Sequence, residues 1–164
     1  VGELCALTWD DISLENNTIH IHRTMQRIQT PDSEKKTAIL IAEPKSNCSI
    51  RDIPIADTLL EKLMQQTVKE GYVLTGNKNK YVEPRTIQNR FKAIVERCGI
   101  RDAHFHTLRH TFATRCIEVG FDVKSLSEIL GHANVNITLN RYVHPSMELK
   151  QKNMEKLSEL FAVK

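Results

Sequence analysis

The chain has 164 residues, 40% hydrophobic and 26% charged, with a net charge of +3. That is the make-up of one soluble globular domain with a proper core. No apolar run approaches the ~18 residues of a membrane span, and no signal-peptide pattern opens the chain. The four cysteines (Cys5, Cys48, Cys98, Cys116) are scattered without a C-x-x-C pair. They read as reduced, mostly buried thiols of a cytosolic protein. The charge is uneven: from Gly76 to Cys116 nine basic residues face three acidic ones, while the first 75 residues net −3 and the last 48 balance. A local positive surface of this kind suits a polyanion.

Val1 to Leu7 reads as the tail of a helix already under way, with Leu4 and Leu7 three apart and no N-cap before them. Residues upstream of Val1 are therefore expected. Trp9–Ile12 and Thr18–Ile21 predict short strands joined by a turn at Glu15-Asn16-Asn17. Ala38–Ala42 and Ser49–Ile53 are two further apolar runs around Glu43-Pro44-Lys45-Ser46-Asn47. They predict a small antiparallel sheet with Lys45 near a hairpin turn.

Helices are expected over the rest. Leu59, Leu60, Leu63, Met64 and Val68 make one apolar stripe stopped by Gly71. Ile87, Phe91, Ile94 and Val95 make a second, on a helix over Thr86–Cys98 ended by Gly99. Leu108, Phe112, Cys116 and Val119 make a third, ended by Gly120. Val123, Leu126, Ile129 and Leu130 make a fourth, ended by Gly131. A short helix is expected over Thr138–Tyr142, broken by Pro145. Ser146 then caps a last helix along Met147, Met154, Leu157, Leu160 and Phe161. No internal repeat, low-complexity tract or interdomain linker interrupts the chain, which reads as a single α+β domain, mostly helical.

Chemistry concentrates in His106-Thr107-Leu108-Arg109-His110, Leu130-Gly131-His132 and Arg141-Tyr142. His106 and Arg109, three apart on a helix, share one face and can grip one phosphate. His132 follows a helix-ending glycine, a placement that delivers a donor to a ligand but also suits an ordinary turn. A phenol ionises near pH 10, so Tyr142 needs a base or a strongly positive site to become a nucleophile. Guanidinium forks best neutralise the non-bridging oxygens of a phosphodiester under attack. Arg109 has a plain alternative as a salt-bridged surface residue, and His110 reads as a helix cap or a satisfied core histidine. Lys45 at a hairpin tip is either solvated or a mobile general acid. Together these residues predict a phosphate clamp beside a tyrosine nucleophile.

The chain resembles the catalytic domain of the tyrosine recombinase (phage integrase) family, especially integrases of phages and conjugative transposons. The likeness runs from Gly2-Glu3-Leu4-Cys5-Ala6-Leu7-Thr8-Trp9-Asp10-Asp11 through Pro44-Lys45-Ser46 and Arg51-Asp52-Ile53-Pro54. It continues through His106–His110 and Leu130–His132 to Arg141-Tyr142. The resemblance implies a DNA strand transesterification that needs no cofactor and no metal. Tyr142 would attack the scissile phosphate, forming a 3′-phosphotyrosyl bond and freeing a 5′-hydroxyl. Arg109 and His132 would hold the phosphate, His106 would take the tyrosine proton, and Lys45 would protonate the departing oxygen. Glu3 would orient the clamp or serve as a structural salt-bridged glutamate. Family members carry a first arginine three residues before the glutamate matching Glu3, a position immediately before Val1. The expectation is a truncated catalytic domain, inactive alone, lacking that arginine and the upstream DNA-binding domains.

The resemblance also implies double-stranded DNA as partner and a homotetramer on DNA assembled through exchange of the last helix. No membrane is expected, and the setting is the bacterial cytoplasm at the nucleoid. Arg85, Gln88, Asn89 and Arg90 could enter a major groove. Three other readings compete: a DNA-binding module on this fold without chemistry, a type IB topoisomerase, and a metal-dependent nuclease using His20 and His22 or His104 and His106.

Overall fold

A computed structural model of the chain describes residues 1–30, 36–44, 46–143 and 147–162. Among these residues, seven α-helices carry most of the structure and five short strands form two antiparallel sheets. The mostly helical α+β architecture is the one the sequence predicts. Helix α1 (Gly2–Ala6) is the short N-terminal helix expected there. It buries Cys5 and Ala6 against Met25, with Ile39, Ile41, Tyr72 and Ile87 packed around them. Gly2 lies so close to Thr24 and Met25 that a Cβ would have no room.

The strands depart from expectation in an instructive way. Trp9–Asp11 forms a 3₁₀ turn in place of a strand, because the Asp11 carboxylate accepts from both the Thr8 N–H (2.8 Å) and the Thr8 hydroxyl (2.9 Å). This reciprocal cap closes the turn and leaves only β1 (Ile12–Ser13) to pair with β2 (Thr18–Ile21). Strand β3 (Thr24–Gln29) has no counterpart among the expected elements. It pairs residue for residue with β4 (Thr37–Ala42), from Thr24 opposite Ala42 to Gln29 opposite Thr37. The hairpin expected between Ala38–Ala42 and Ser49–Ile53 does not form. Strand β5 (Arg51–Pro54) pairs instead with β2, in the other sheet. Ile21 and Met25 are the buried residues that pin these registers. Lys45 lies outside the described residues.

The later helices follow their stop signals with shifted faces, but the first ends well short of Gly71. Helix α2 (Asp57–Met64) ends before Val68, whose side chain packs over Gly76 as the chain turns back. Helix α3 (Pro84–Arg97) begins on a proline in its first turn and buries Val95. Helix α4 (Phe105–Glu118) buries Ala113 and Cys116, while Leu108, Phe112 and Val119 are 49%, 47% and 74% exposed. Of the expected stripe Leu108, Phe112, Cys116 and Val119 only Cys116 is buried, and the inward face runs through Arg109, Ala113 and Cys116, at helical spacing.

Helix α5 (Val123–Leu130) is capped by Asp122, whose carboxylate accepts from the Lys124 and Ser125 amides. Helix α6 (Val135–Tyr142) is longer than expected because Asn134 caps it, accepting from the Asn136 amide at 2.8 Å. Ala113, Cys116, Leu126, Leu130 and the ring of Tyr142 form the core that locks α4, α5 and α6 together. Helix α7 (Met147–Ala162) leaves Met147, Met154, Leu157 and Phe161 exposed. Its expected breaker Pro145 and cap Ser146 lie outside the described residues. All four cysteines are free; Cys5 and Cys116 are buried, Cys48 is half-buried and Cys98 is exposed, so burial is less general than expected.

Candidate active site

The site is assembled where α4, the turn after α5 and the end of α6 meet. Helix α4 starts where Thr107 Oγ1 accepts from the His104 N–H at 3.0 Å. One turn on, Arg109 projects toward the end of α5 and donates through Nη2 to the Leu130 carbonyl. Gly131 then turns left-handed, at φ +68°, with the Arg51 guanidinium 3.0 Å from where a Cβ would stand. Both facts require glycine. The turn delivers His132, whose Nδ1 meets the Oγ1 of fully buried Thr138 at 2.8 Å. When that hydroxyl donates to Nδ1, the ring proton sits on Nε2, as a ligand donor requires.

Tyr142 ends α6 with its ring in the core and its hydroxyl 2.8 Å from His110 Nδ1. His106 packs edge-on against His110, with ring centroids 4.7 Å apart. Arg51 ties the site to the rest of the fold. Its half-buried guanidinium donates to both Glu3 carboxylate oxygens (2.9 and 3.0 Å), to the Ile129 carbonyl (2.7 Å) and to the Ser49 carbonyl (2.9 Å). α1, β5 and the last turn of α5 thereby share one cation.

Electrostatics follow from this crowding of guanidiniums. Burial pushes the His132 imidazole below its ordinary range, and the charges of Arg109, Arg141 and Arg51 push the same way. Burial likewise lowers His106, helped by His110, Arg109 and Arg141. Both rings are thus neutral at neutral pH, one free to donate and the other to accept. Arg109 stays charged, although burial works against it; Glu3 and Tyr142 favour its charge, and Arg51 and Arg141 oppose it. Burial alone would raise the Glu3 carboxyl. The hydrogen bonds and charge of Arg51 overcome that, with help from Arg109 and the terminal amine, and hold it below the usual carboxylate range.

A scan against family descriptions matches residues 1–148 to the phage integrase family. The chain belongs to the phage integrase family. As an integrase-family chain it is 31% identical over 179 residues to a tyrosine recombinase XerC-like protein of Caldanaerobacter subterraneus subsp. tengcongensis, covering 98% of this chain and 46% of that protein. It is 28% identical over 182 residues to the transposase from transposon Tn916 of Enterococcus faecalis, with 97% and 44% covered. Among solved structures it resembles the Tn1549 transposon integrase in complex with circular intermediate DNA. That likeness has a TM-score of 0.74 at 23% identity, over 96% of this chain and 55% of the other. The XerA recombinase follows at 0.59 and 23%, over 94% and 52%. The chain spans about half the length of the relatives it matches. This integrase-family chain thus has the fold of the tyrosine recombinase catalytic domain.

Within this integrase-family fold, Arg109, His106, His132 and Tyr142 come together as expected, with Glu3 behind them through Arg51. Lys45 lies outside the described residues. Arg85, Gln88, Asn89 and Arg90 stand apart from the clamp, all exposed on the first half of α3. There Arg85, Gln88 and Asn89 line a groove of about 570 Å³ shared with His104 and Phe105 at the start of α4. His20 engages Asp52 at 2.7 Å and stacks on His22. Among the described residues no group of three or more His, Cys, Asp or Glu is placed to hold an ion.

Two contributors escaped the sequence reading of this integrase-family chain. Arg51 was visible only as part of a similar segment, since its partners lie 48 and 78 residues away. His110 was read as a cap or core residue, but it touches the phenol oxygen. Replacing Arg51 with Met should cost about 3 kcal/mol in a urea titration, because it strands four acceptors. Glu3 should contribute stability that is full above its unfolded pKa and lost as pH falls through its depressed folded value. Thermal melts from about pH 6 down to about pH 3 should therefore fall less steeply in Glu3→Gln than in wild type. Equal slopes would contradict the pairing.

Proposed function

We propose that this chain is the catalytic domain of a site-specific DNA recombinase that integrates and excises a mobile element. Tyr142 attacks a backbone phosphate of duplex DNA, forms a 3′-phosphotyrosyl bond and frees a 5′-hydroxyl. A second 5′-hydroxyl then reverses the step onto another strand, so bond energy is kept without a cofactor. The observation that carries this reading is the convergence of Arg109, His132 and the Tyr142–His110 pair at the junction of α4, α5 and α6. Arg109 binds non-bridging oxygens, His132 donates to the same phosphate, the resemblance gives the tyrosine proton to His106, and Lys45 is the acid for the leaving oxygen. Glu3 positions this clamp through Arg51.

A cleft lined by Val1, Glu3, His106 and Arg109 lies at the chain's first residue. The Tn1549 relative was solved on circular intermediate DNA, and the same partner class is proposed here. The positive α3 face, with Arg85, Gln88, Asn89 and Arg90, is assigned to the duplex. The exposed stripe Met147, Met154, Leu157 and Phe161 on α7 supports exchange between protomers in a homotetramer on DNA. A cytoplasmic, nucleoid-associated setting follows from a duplex DNA substrate.

The full-length natural polypeptide that carries these residues should form a protease-sensitive covalent adduct on nicked duplexes from the ends of its element. Tyr142→Phe should abolish the adduct while leaving the mobility shift within about twofold of wild type, since one hydroxyl adds little to phosphate-dominated affinity. Binding without any adduct in wild type would favour the DNA-binding module instead. Phe161→Asp should reduce sedimentation as a tetramer on DNA without lowering the melting temperature. Unchanged assembly would contradict helix exchange.

A further inference from the structure

The resemblance assigns the tyrosine's proton to His106, but the geometry points to its neighbour one residue past Arg109. We propose that His110, through Nδ1, holds the Tyr142 hydroxyl and takes its proton during attack. The inference rests on the reading of Tyr142 as nucleophile given above. The hydroxyl and Nδ1 stand 2.8 Å apart, within the reach a general base requires. His106 packs edge-on against the His110 ring.

The phenol is not free to swing to another partner at no cost. Its ring is 9% exposed and wedged among Ala113, Cys116, Leu126 and Leu130. His110 follows Arg109 on α4, so one rigid helix carries both the phosphate ligand and the group that holds the nucleophile. Fixed spacing between these two parts is what an in-line attack needs. The role requires the tautomer with its proton on Nε2, which leaves Nδ1 as an acceptor.

During attack the Tyr142 O–H bond breaks and its proton passes to Nδ1. The phenol oxygen bonds to phosphorus, and the bond from phosphorus to the 5′ oxygen breaks. That oxygen takes a proton from the acid of the site, the role given to Lys45 above. The charged and titratable groups facing the pair are His106, beside His110, and Arg109, beside Tyr142, both on α4; Arg141 on α6 and His132 on the turn between α5 and α6 act on those two in turn.

The test is single-turnover adduct formation by the full-length natural polypeptide on a nicked duplex, comparing wild type, Tyr142→Phe, His110→Ala and His110→Asn. Asparagine can bond the phenol but cannot take its proton, so it separates holding from proton transfer. Both His110 variants should react about 10²–10⁴-fold more slowly than wild type, with unchanged mobility shifts. Their deficit should shrink as pH rises, because hydroxide then takes over removal of the phenol proton. A His110→Asn rate within about threefold of wild type would overturn the proposal. So would a deficit of the same size at every pH, the mark of a purely structural role. Should His110→Ala fail to fold, His110→Asn still decides the matter. A wild type that forms no adduct removes the reading of Tyr142 itself, and Tyr142→Phe separates that outcome from a failure at His110.

Discussion

One guanidinium organises the molecule. Arg51 leaves the three-stranded sheet at β5 and spends its donors on a carboxylate from α1 and on backbone carbonyls at Ile129 and Ser49. Glu3 and Ile129 lie 48 and 78 residues from Arg51 in sequence. Removing one partner of such a pair leaves the others desolvated and unpaired, which costs more than the pair contributes over a well-packed apolar substitute. The arrangement therefore fixes geometry more than it adds stability. What it fixes is the turn at Gly131, where a side chain would collide with Arg51. That turn sets His132 and presents the Leu130 carbonyl to Arg109.

From that constraint the electrostatics follow. Burial pushes His106 and His132 below their ordinary range, Arg109 and Arg141 push both rings the same way, and Arg51 adds to this at His132. On the proposed reading, a dianion-like transition state benefits from charge held in place before substrate arrives, since no reorganisation is then needed. Neutral imidazoles among fixed cations can still donate or accept, which protonated rings could not do in both senses. On the proposed reading, the guanidiniums bind phosphate, His132 donates, and the proton of Tyr142 leaves toward α4. The phenol is held by packing on one side and by His110 on the other.

Local signals in the sequence located most elements and the centre of the site. Glycines at 99, 120 and 131 ended their helices, because such stop signals act within a few residues. His106, Arg109, His132 and Tyr142 were legible for the same reason: each sits beside a local signal. The strands were less so. β3 alternates weakly, with only Met25 buried, and its partner is known only after pairing. The hairpin reading of β4 and β5 failed because adjacency in sequence does not decide which sheet a short strand joins. On α4 the apolar stripe misled, since Leu108 and Phe112 face outward while a charged residue, Arg109, lies on the inner face. Periodicity records hydrophobicity, whereas burial here is organised around hydrogen bonds to Leu130 and Tyr142. Arg51 and His110 act across 78 and 32 residues, distances at which no local pattern speaks.

The most direct test of this account is a crystal structure of the full-length natural polypeptide with Tyr142→Phe on an intact duplex from its element. The account predicts the scissile phosphate between Arg109 and His132, each within hydrogen-bond distance of a non-bridging oxygen, with Arg51 still joined to Glu3. The edge of the substituted ring at position 142 should point at phosphorus opposite the 5′ oxygen. A phosphate held elsewhere, or an Arg109 that keeps to Leu130 and leaves the phosphate unbound, would contradict it.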